Sequence, residues 1–424
     1  MKKSLVALAI LAAAGVASAQ SSVTLFGVVD ATYAHGSGKG IGSANKSQIT
    51  NSGYNSSRIG FRGTEDLGGG MSASFWLEAG VNNDDGTGAP TSPGNQSLGV
   101  FNSTTGANAP VRAGTQGLTF NRRSTVSLAS GLGELRLGRD YSPQFWNQTV
   151  FDPFGTNGVG TTQTLNSSLG GPTAVRASNS IGYFLPGNLG GFYGQFQAYM
   201  GENNSGTNSP TSAARNATSF ATEKDGNGAA IRLGYANGPV NVAIATSRTR
   251  YAQTVAAAAV LPSQGVTGVS ADIPASAAVP AGGGNIKSTN LGGSYDLGVA
   301  QLMALVTRDR VDAATAVAGK GALIGALVPL GAGQIRVAYS TYKTNGTSAA
   351  IAATSTAGAV AATDGPKSKK LAIGYVHNLS KRTALYTTFA RVTNSGGARQ
   401  ALNGAVTAPN DRSTGYDFGV RHSF

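Results

Sequence analysis

Cysteine is absent from this 424-residue chain, which removes zinc-thiolate sites, disulfide frameworks and thiol nucleophiles together. Histidine is nearly absent: His35, His377 and His422 are the whole supply, so general bases are scarce. Charged residues make up 12% and aromatics 7%, too little of either for an ordinary helical or α/β protein of this length. Past the extreme N-terminus no segment approaches twenty consecutive apolar residues, which excludes transmembrane helices.

What the chain does contain is 61 glycines, much Ser, Thr and Asn, and a mean hydropathy near zero. That mixture suits a large β-structure in which half the residues face water. Its formal net charge is +13, spread singly along the chain rather than in runs. A nucleic-acid partner is therefore not expected, and the charge reads as a field over a surface or channel.

The first residues read as a targeting signal. Met1-Lys2-Lys3 forms a positive n-region, Leu5 through Val16 an apolar h-region, and Ala17-Ser18-Ala19 a small-x-small cleavage site. Residues 1–19 are thus expected to be a cleaved signal peptide and 20–424 the mature barrel. Without Lys2 and Lys3 the net charge falls by two, to +11.

The stretch Ser57–Val81 shows the pattern that repeats along the rest. Arg58, Gly60 and Arg62 share one face and Ile59 and Phe61 the other. After the turn-formers Glu65-Asp66-Leu67-Gly68-Gly69-Gly70, Met71, Ala73, Phe75 and Leu77 oppose Ser72, Ser74 and Glu78. Trp76 is the one large apolar residue on the polar side. This is the period-2 signature of a hairpin with a greasy face and a wet face.

Beyond it, connections alternate in length. Short ones rich in Gly, Pro, Asn or Asp fall at Glu65–Gly69, Ser130–Gly133, Pro186–Gly190, Asn237–Pro239, Tyr295–Leu297, Pro329–Gly333 and Asn378–Lys381. Long polar ones fall near 35–54, 82–117, 141–175, 201–226, 251–286, 310–319, 344–366 and 394–412. All turns then lie at one rim and all loops at the other. Fifteen connections join sixteen strands, with both termini at the short-turn rim. An all-β, closed antiparallel transmembrane barrel follows. Val311–Leu330 alternates poorly, and without that hairpin the count would be fourteen.

The final segment, Ser413–Phe424, alternates completely. Tyr416, Phe418, Val420, His422 and Phe424 take one face, and Asp417 and Arg421 lie on the other. A charge against lipid at the midplane costs about 2–4 kcal/mol for Arg, so these two must look inward.

The chain resembles the general porins of Gram-negative outer membranes, of the type common in β-proteobacteria. The matching pieces are Ser21-Ser22-Val23-Thr24-Leu25-Phe26-Gly27, Ser57-Arg58-Ile59-Gly60-Phe61-Arg62-Gly63 with Glu65-Asp66-Leu67-Gly68-Gly69-Gly70, Leu137-Gly138-Arg139-Asp140-Tyr141-Ser142-Pro143, Asp152-Pro153-Phe154-Gly155, Arg176 through Tyr183, and Arg421-His422-Ser423-Phe424. The resemblance implies a homotrimer of sixteen-stranded barrels in the outer membrane. Short turns would face the periplasm and long loops the exterior, with the third long loop folded into the pore. Implied partners are small hydrophilic solutes, outer-membrane lipid with its lipopolysaccharide, and the outer-membrane assembly machinery, which would read Phe424 as a sorting signal.

Arg58 lies seven residues before Glu65, roughly 16 Å above the turn at about 3.3 Å per residue and about 45° tilt. It is an inward position near mid-membrane. The resemblance places Arg58, Arg122 and Arg176 at the pore constriction. At the third strand end, alternation from Val126 and Leu128 favours Arg123 as the inward residue, while the phenylalanine-x-arginine pattern of Phe120-Asn121-Arg122 favours Arg122; both are candidates, Arg122 ahead. Arg62, Arg136 and Arg139 read as wetted wall. Asp152, the only carboxylate of the third loop after Asp140, is the expected opposing acid. Several arginines against one or two carboxylates predict a passive, anion-preferring channel.

Other function classes find little support. The three histidines adjoin no nucleophile motif, so no enzyme is expected. Asn83-Asp84-Asp85-Gly86-Thr87-Gly88 lacks the spacing of an EF-hand, and the Gly-rich stretches lack a phosphate-cradling signature, so neither metal nor cofactor is expected. A substrate-specific channel or a surface receptor is the remaining alternative.

Overall fold

The computed structural model of the protein describes residues 22–89, 119–162, 171–202, 224–251, 285–312, 317–345 and 365–424, with 95, 101–102, 107–108 and 169. The expected signal peptide at 1–19 lies outside the described residues.

Among the described residues the barrel has sixteen antiparallel strands, each hydrogen-bonded to its neighbours in sequence, beside short extra segments at Thr87–Gly88, Phe101–Asn102 and Ala107–Asn108. The first is β1 (Ser22–Gly38). The second, β2, comes in two segments: Lys46–Asn51 runs beside Ala31–Gly36 of β1, and Arg58–Gly68 runs beside Ser22–Val28. Then follow β3 (Met71–Asn82), β4 (Arg123–Ser130) and β5 (Gly133–Tyr141). A helix, α1 (Pro143–Val150), opens the third long loop. After it come β6 (Arg176–Phe184), β7 (Phe192–Tyr199), β8 (Gly228–Asn237) and β9 (Val240–Thr249). The circle continues through β10 (Asn285–Asp296), β11 (Gln301–Asp312), β12 (Val317–Leu330) and β13 (Gly333–Thr344). It ends with β14 (Lys367–Asn378), β15 (Thr383–Ser395) and β16 (Arg412–Ser423).

The ring closes where β16 pairs with β1, from Val28 opposite Ser423 to Gly38 opposite Ser413. The terminal residue completes the seam: Phe424 N donates to Gly27 O at 3.1 Å, and Gly27 N to Phe424 O at 3.0 Å. Closure joins the first barrel strand to the last, the condition for carrying a sheet through hydrocarbon, where an unmet amide has no water to turn to.

Alternation decides the two faces. On β16, Tyr416, Phe418 and Val420 are exposed outward, while Asp417 and Ser413 are buried within. On β9, Val240, Val242 and Ile244 point out and Ala243 and Ala245 in. The turns hold their expected places. At the β2–β3 turn Gly68, Gly69 and Gly70 all have positive φ, a region that a side chain would strain.

The hairpin that alternates poorly in sequence is regular in space. β11 and β12 pair over eleven positions, from Gln301 opposite Leu327 to Val311 opposite Val317, so the count is sixteen. These strands also run further than expected, narrowing the connection read at 310–319 to 313–316. Inward positions of β12 are Val317, Gly319, Gly321, Leu323 and Gly325. The pattern is faint because both faces are apolar, the outer against lipid and the inner against the third loop.

That loop lies inside the barrel. Phe151, Phe154 and Val159 form one buried cluster with Ala243, Leu305, Leu323, Ala338, Ala372, Ala390 and Val392 of the wall. The wall makes room with glycine: a Cβ at Gly292 would collide with the Phe151 ring, and one at Gly325 would stand 2.6 Å from Pro153 Cγ. Burying a Phe or Val side chain fully contributes about 1.5–3 kcal/mol, so three of them hold the loop firmly.

Candidate functional site

The bulge between the two segments of β2 builds one side of the site. Ser52 takes a positive φ of 66°, and the chain turns into the lumen instead of continuing the ladder. Asp30 on β1 pins it: Tyr54 N and Asn55 N donate to Asp30 Oδ2 at 2.9 and 2.6 Å. The hydroxyls of Thr32 and Tyr386 also donate to Asp30 Oδ1. The bulge in turn holds Arg58, whose Nη1 donates to Asn55 Oδ1 and to Ser56 O, both at 2.9 Å.

Arg58, Arg122 and Arg176 meet around two groups, Glu78 and Tyr141. Arg122 Nε donates to Glu78 Oε1 at 2.6 Å, and Arg58 Nε lies 3.8 Å from the same oxygen. Arg122 Nη2 and Arg176 Nη2 both donate to the Tyr141 hydroxyl, at 2.6 and 3.0 Å. Arg176 also stacks on the Tyr141 ring, 4.5 Å from its centroid. Tyr141 is placed by strand register, directly opposite Arg176, and stacks on Phe145 of α1 at 5.2 Å. Three guanidinium groups against one carboxylate leave a local excess of two positive charges. Two of their buried donors, Arg122 Nη1 and Arg176 Nε, have no acceptor among the described protein atoms.

Both arginines of the 122–123 pair lie inside the barrel, at different levels. Regular pairing of β4 starts only at Arg123, so Arg122 is free of the alternation rule and joins Glu78. Arg123 follows the rule and sits toward the short-turn rim, where its Nε is 3.6 Å from Asp140 Oδ1 and donates to Thr125 Oγ1 at 3.2 Å. Arg139 clamps the wall, donating to Asn121 O and Ser178 Oγ at 2.6 Å each. Arg136 is likewise committed, to Glu134 and Asp140.

Asp152, the expected opposing acid, makes no contact with Arg58, Arg122 or Arg176 among the described residues, which corrects its expected place; its cationic neighbours are Lys370 and Arg336. It is buried, and its carboxylate accepts from Phe154 N at 2.8 Å, Thr162 N at 2.9 Å and Thr162 Oγ1 at 2.6 Å. Burial pushes this carboxyl above its ordinary range, against the pull of those hydrogen bonds. Its work is to shape the loop. The carboxylate in contact with the arginines is Glu78, on the wall. Its signal in sequence was its place on the polar face of the Ser57–Val81 hairpin.

The loop is tied at both ends of its path. Near α1, Asn147 Nδ2 donates to Ala243 O and Asn290 Oδ1 at 2.8 and 2.9 Å, and Arg232 Nε donates to Asn147 Oδ1 at 2.8 Å. Farther on, Val159 N donates to Asp417 Oδ2 at 2.6 Å, and Lys370 Nζ donates to Val159 O at 3.2 Å and to Thr161 O. Asn157 Nδ2 reaches Ser52 O at 3.1 Å, so loop and bulge brace each other. Sequence reasoning missed Tyr141, Lys370 and Arg232 as site or anchor residues. Lys370 carried a readable hint, being an inward cation on the strand Lys367–Asn378.

The histidines are dispersed: His35 bonds Ser47, His377 bonds Tyr375 and His422 bonds Thr383.

Comparison with known proteins gives a consistent picture. A model of the Gram-negative porin family matches residues 4–397. The chain is 32% identical over 437 residues to outer membrane porin protein 32 of Delftia acidovorans, with both chains covered completely. It is 29% identical over 453 residues to an outer membrane porin protein of Bordetella pertussis, again over the full length of both. Among solved structures, the anion-selective porin from Comamonas acidovorans superposes with a TM-score of 0.68 at 28% identity, covering 95% of this chain and 100% of the other.

Proposed function

The chain belongs to the Gram-negative porin family, and on that footing we propose that its arginine-lined lumen passes small hydrophilic solutes with a preference for anions. The protein is an outer-membrane channel for passive diffusion. The finer reading rests on one observation: Arg58, Arg122 and Arg176 converge on the single carboxylate of Glu78.

A positive excess in a narrow passage lowers the barrier for negative solutes and raises it for cations. The donors Arg122 Nη1 and Arg176 Nε are buried behind the lumen surface, so the charge of these two groups acts on a passing solute through its field rather than by direct contact. The net charge of the whole chain has the same sign, and the Comamonas relative is an anion-selective porin. Reversal potentials of the purified protein in a KCl gradient test this. Chloride preference is expected, and a potassium preference would refute it.

Several further assignments belong to the same reading. Residues 1–19 act as a cleaved signal peptide, so N-terminal sequencing of the mature protein should begin at Gln20. Three copies assemble through their outward faces, which unheated electrophoresis and cross-linking would detect. Phe424 serves the assembly machinery as a terminal recognition residue as well as closing the seam with Gly27. Lipopolysaccharide contacts the outer rim. No catalytic role is assigned.

A further inference from the structure

Trp76 stands on the wet face of its hairpin, and the arginine constriction does not use its ring. It lies two residues from Glu78 along β3, roughly 7 Å toward the short-turn rim at about 3.3 Å per residue. Its indole Nε1 donates to Glu78 Oε2 at 3.1 Å, which fixes the ring just beyond the constriction. Phe26 of β1 packs on it with centroids 4.8 Å apart and planes tilted by 59°. Arg62 of β2 places its guanidinium carbon 5.2 Å from the Trp76 ring and 5.4 Å from the Phe26 ring. Arg123 of β4 comes within 4.6 Å of the Trp76 ring. Four consecutive strands thus build a patch of two half-buried rings between two cations.

The two cations differ in what else they touch. Arg123 is committed to Asp140 and Thr125. Arg62 is exposed, and among the described residues its side chain makes ring contacts and neither an ion pair nor a hydrogen bond. A guanidinium fork is shaped for a carboxylate, and among the described residues Arg62 has no carboxylate partner. Beside it, an indole and a phenyl ring offer a surface for a planar ring in offset or edge-to-face contact. One ligand class uses both features at once.

We infer that this patch is a transit subsite for aromatic carboxylates of the benzoate class, with Arg62 taking the carboxylate and Trp76 and Phe26 the ring. The inference rests on the chain being an anion-passing channel. An anion leaving the constriction toward the short-turn rim meets this patch next, and a ring lets it linger where a plain anion moves on.

Single-channel recording in KCl tests it, with benzoate and cyclohexanecarboxylate added to the purified protein in planar bilayers. Both carry one charge at similar size, and only one is aromatic. Benzoate should reduce the chloride current at concentrations about three- to tenfold lower, the factor that one aromatic contact supplies. Trp76→Leu should bring the two solutes together, and Arg62→Gln should raise the half-blocking concentration of both by up to about fivefold. If Trp76→Leu fails to insert, Phe26→Leu reads the same preference and should weaken it. Equal block of the wild type by both solutes, or a benzoate preference surviving in Trp76→Leu, would overturn the subsite. Absence of any chloride current would instead overturn the channel reading, and indole fluorescence in detergent then decides the subsite independently. Benzoate quenching lost in Trp76→Leu, with Trp146 as the remaining signal, supports it; quenching retained refutes it.

Discussion

The two halves of the barrel interior obey one alternation rule and put opposite chemistry on it. From β1 to β6 the inward positions carry Asp30, Arg58, Glu78 and Arg176, charged groups tied to one another and to the bulge of β2. From β9 to β15 they include a run of small and aliphatic residues, Ala243, Gly292, Leu305, Leu323, Ala338, Ala372 and Ala390, set among polar groups such as Asn290, Asp309 and Lys370. The difference is what lies opposite. The first half meets the bulge and the loop through polar contacts such as Asn157 to Ser52, and the second is paved by the part of the third loop whose Phe151, Phe154 and Val159 need an apolar seat. The third loop seats here because one side of the wall is built to be covered.

The sharpest way to break this contrast is to loosen the paving. Phe151→Ala removes the largest fully buried side chain of the loop and should cost about 3–5 kcal/mol of packing. Single-channel conductance should rise and become noisy while the barrel still resists detergent; an unchanged, quiet conductance would mean that the loop is held by its polar ties alone. Next in size is Glu78→Gln on the charged half. It keeps a hydrogen-bond acceptor for Arg122 and removes the only carboxylate among the three arginines, so anion preference should increase while stability falls by about 1–3 kcal/mol. Reversal potentials and thermal unfolding read the two effects separately.

Arg58→Ser works in the other direction. Removing one charge about 5 Å from a passing ion in water-like surroundings is worth about 0.8 kcal/mol, or about fourfold, with opposite sign for chloride and potassium, so their permeability ratio should fall by up to about sixteenfold with the barrel intact. Raising KCl from 0.1 to 1 M shortens the screening length from about 10 Å to about 3 Å, and preference in the wild type should shrink with it. Asp152→Asn should matter least to selectivity, because that carboxylate is turned into its own loop. A selectivity change as large as that of Glu78→Gln would return Asp152 to the lumen.

Much of this was legible beforehand for a physical reason. In Ser413–Phe424 strand period, facing and the inward course of Asp417 all follow from nearest neighbours on the chain and from the cost of charge in lipid. The inward course of Arg58 was read the same way, while Arg176 entered only through the family pattern. The 122–123 ambiguity arose because alternation holds only inside a regular strand, and β4 begins one residue after Arg122. Asp152 was misplaced because its only sequence signal is being an acid on a loop, which is silent about the direction it faces. The faint alternation of Val311–Leu330 was itself a signal of covering, visible once Leu323 is seen in one cluster with Phe151 and Phe154, and Gly325 beneath Pro153.

By itself, then, the sequence determined a closed barrel with sorted turns and loops, a basic interior and the strands that carry the arginines. Those properties are local, repeated every two residues, and imposed by hydrocarbon outside and water inside. Only the tertiary structure decided that Glu78 and not Asp152 answers the arginines, that a bulge pinned by Asp30 aims Arg58, and that Trp76 meets Arg62 and Phe26 in one patch. Those outcomes depend on groups far apart along the chain, such as Val159 and Asp417 at a separation of 258 residues, whose meeting exists only once the barrel has closed around its loop.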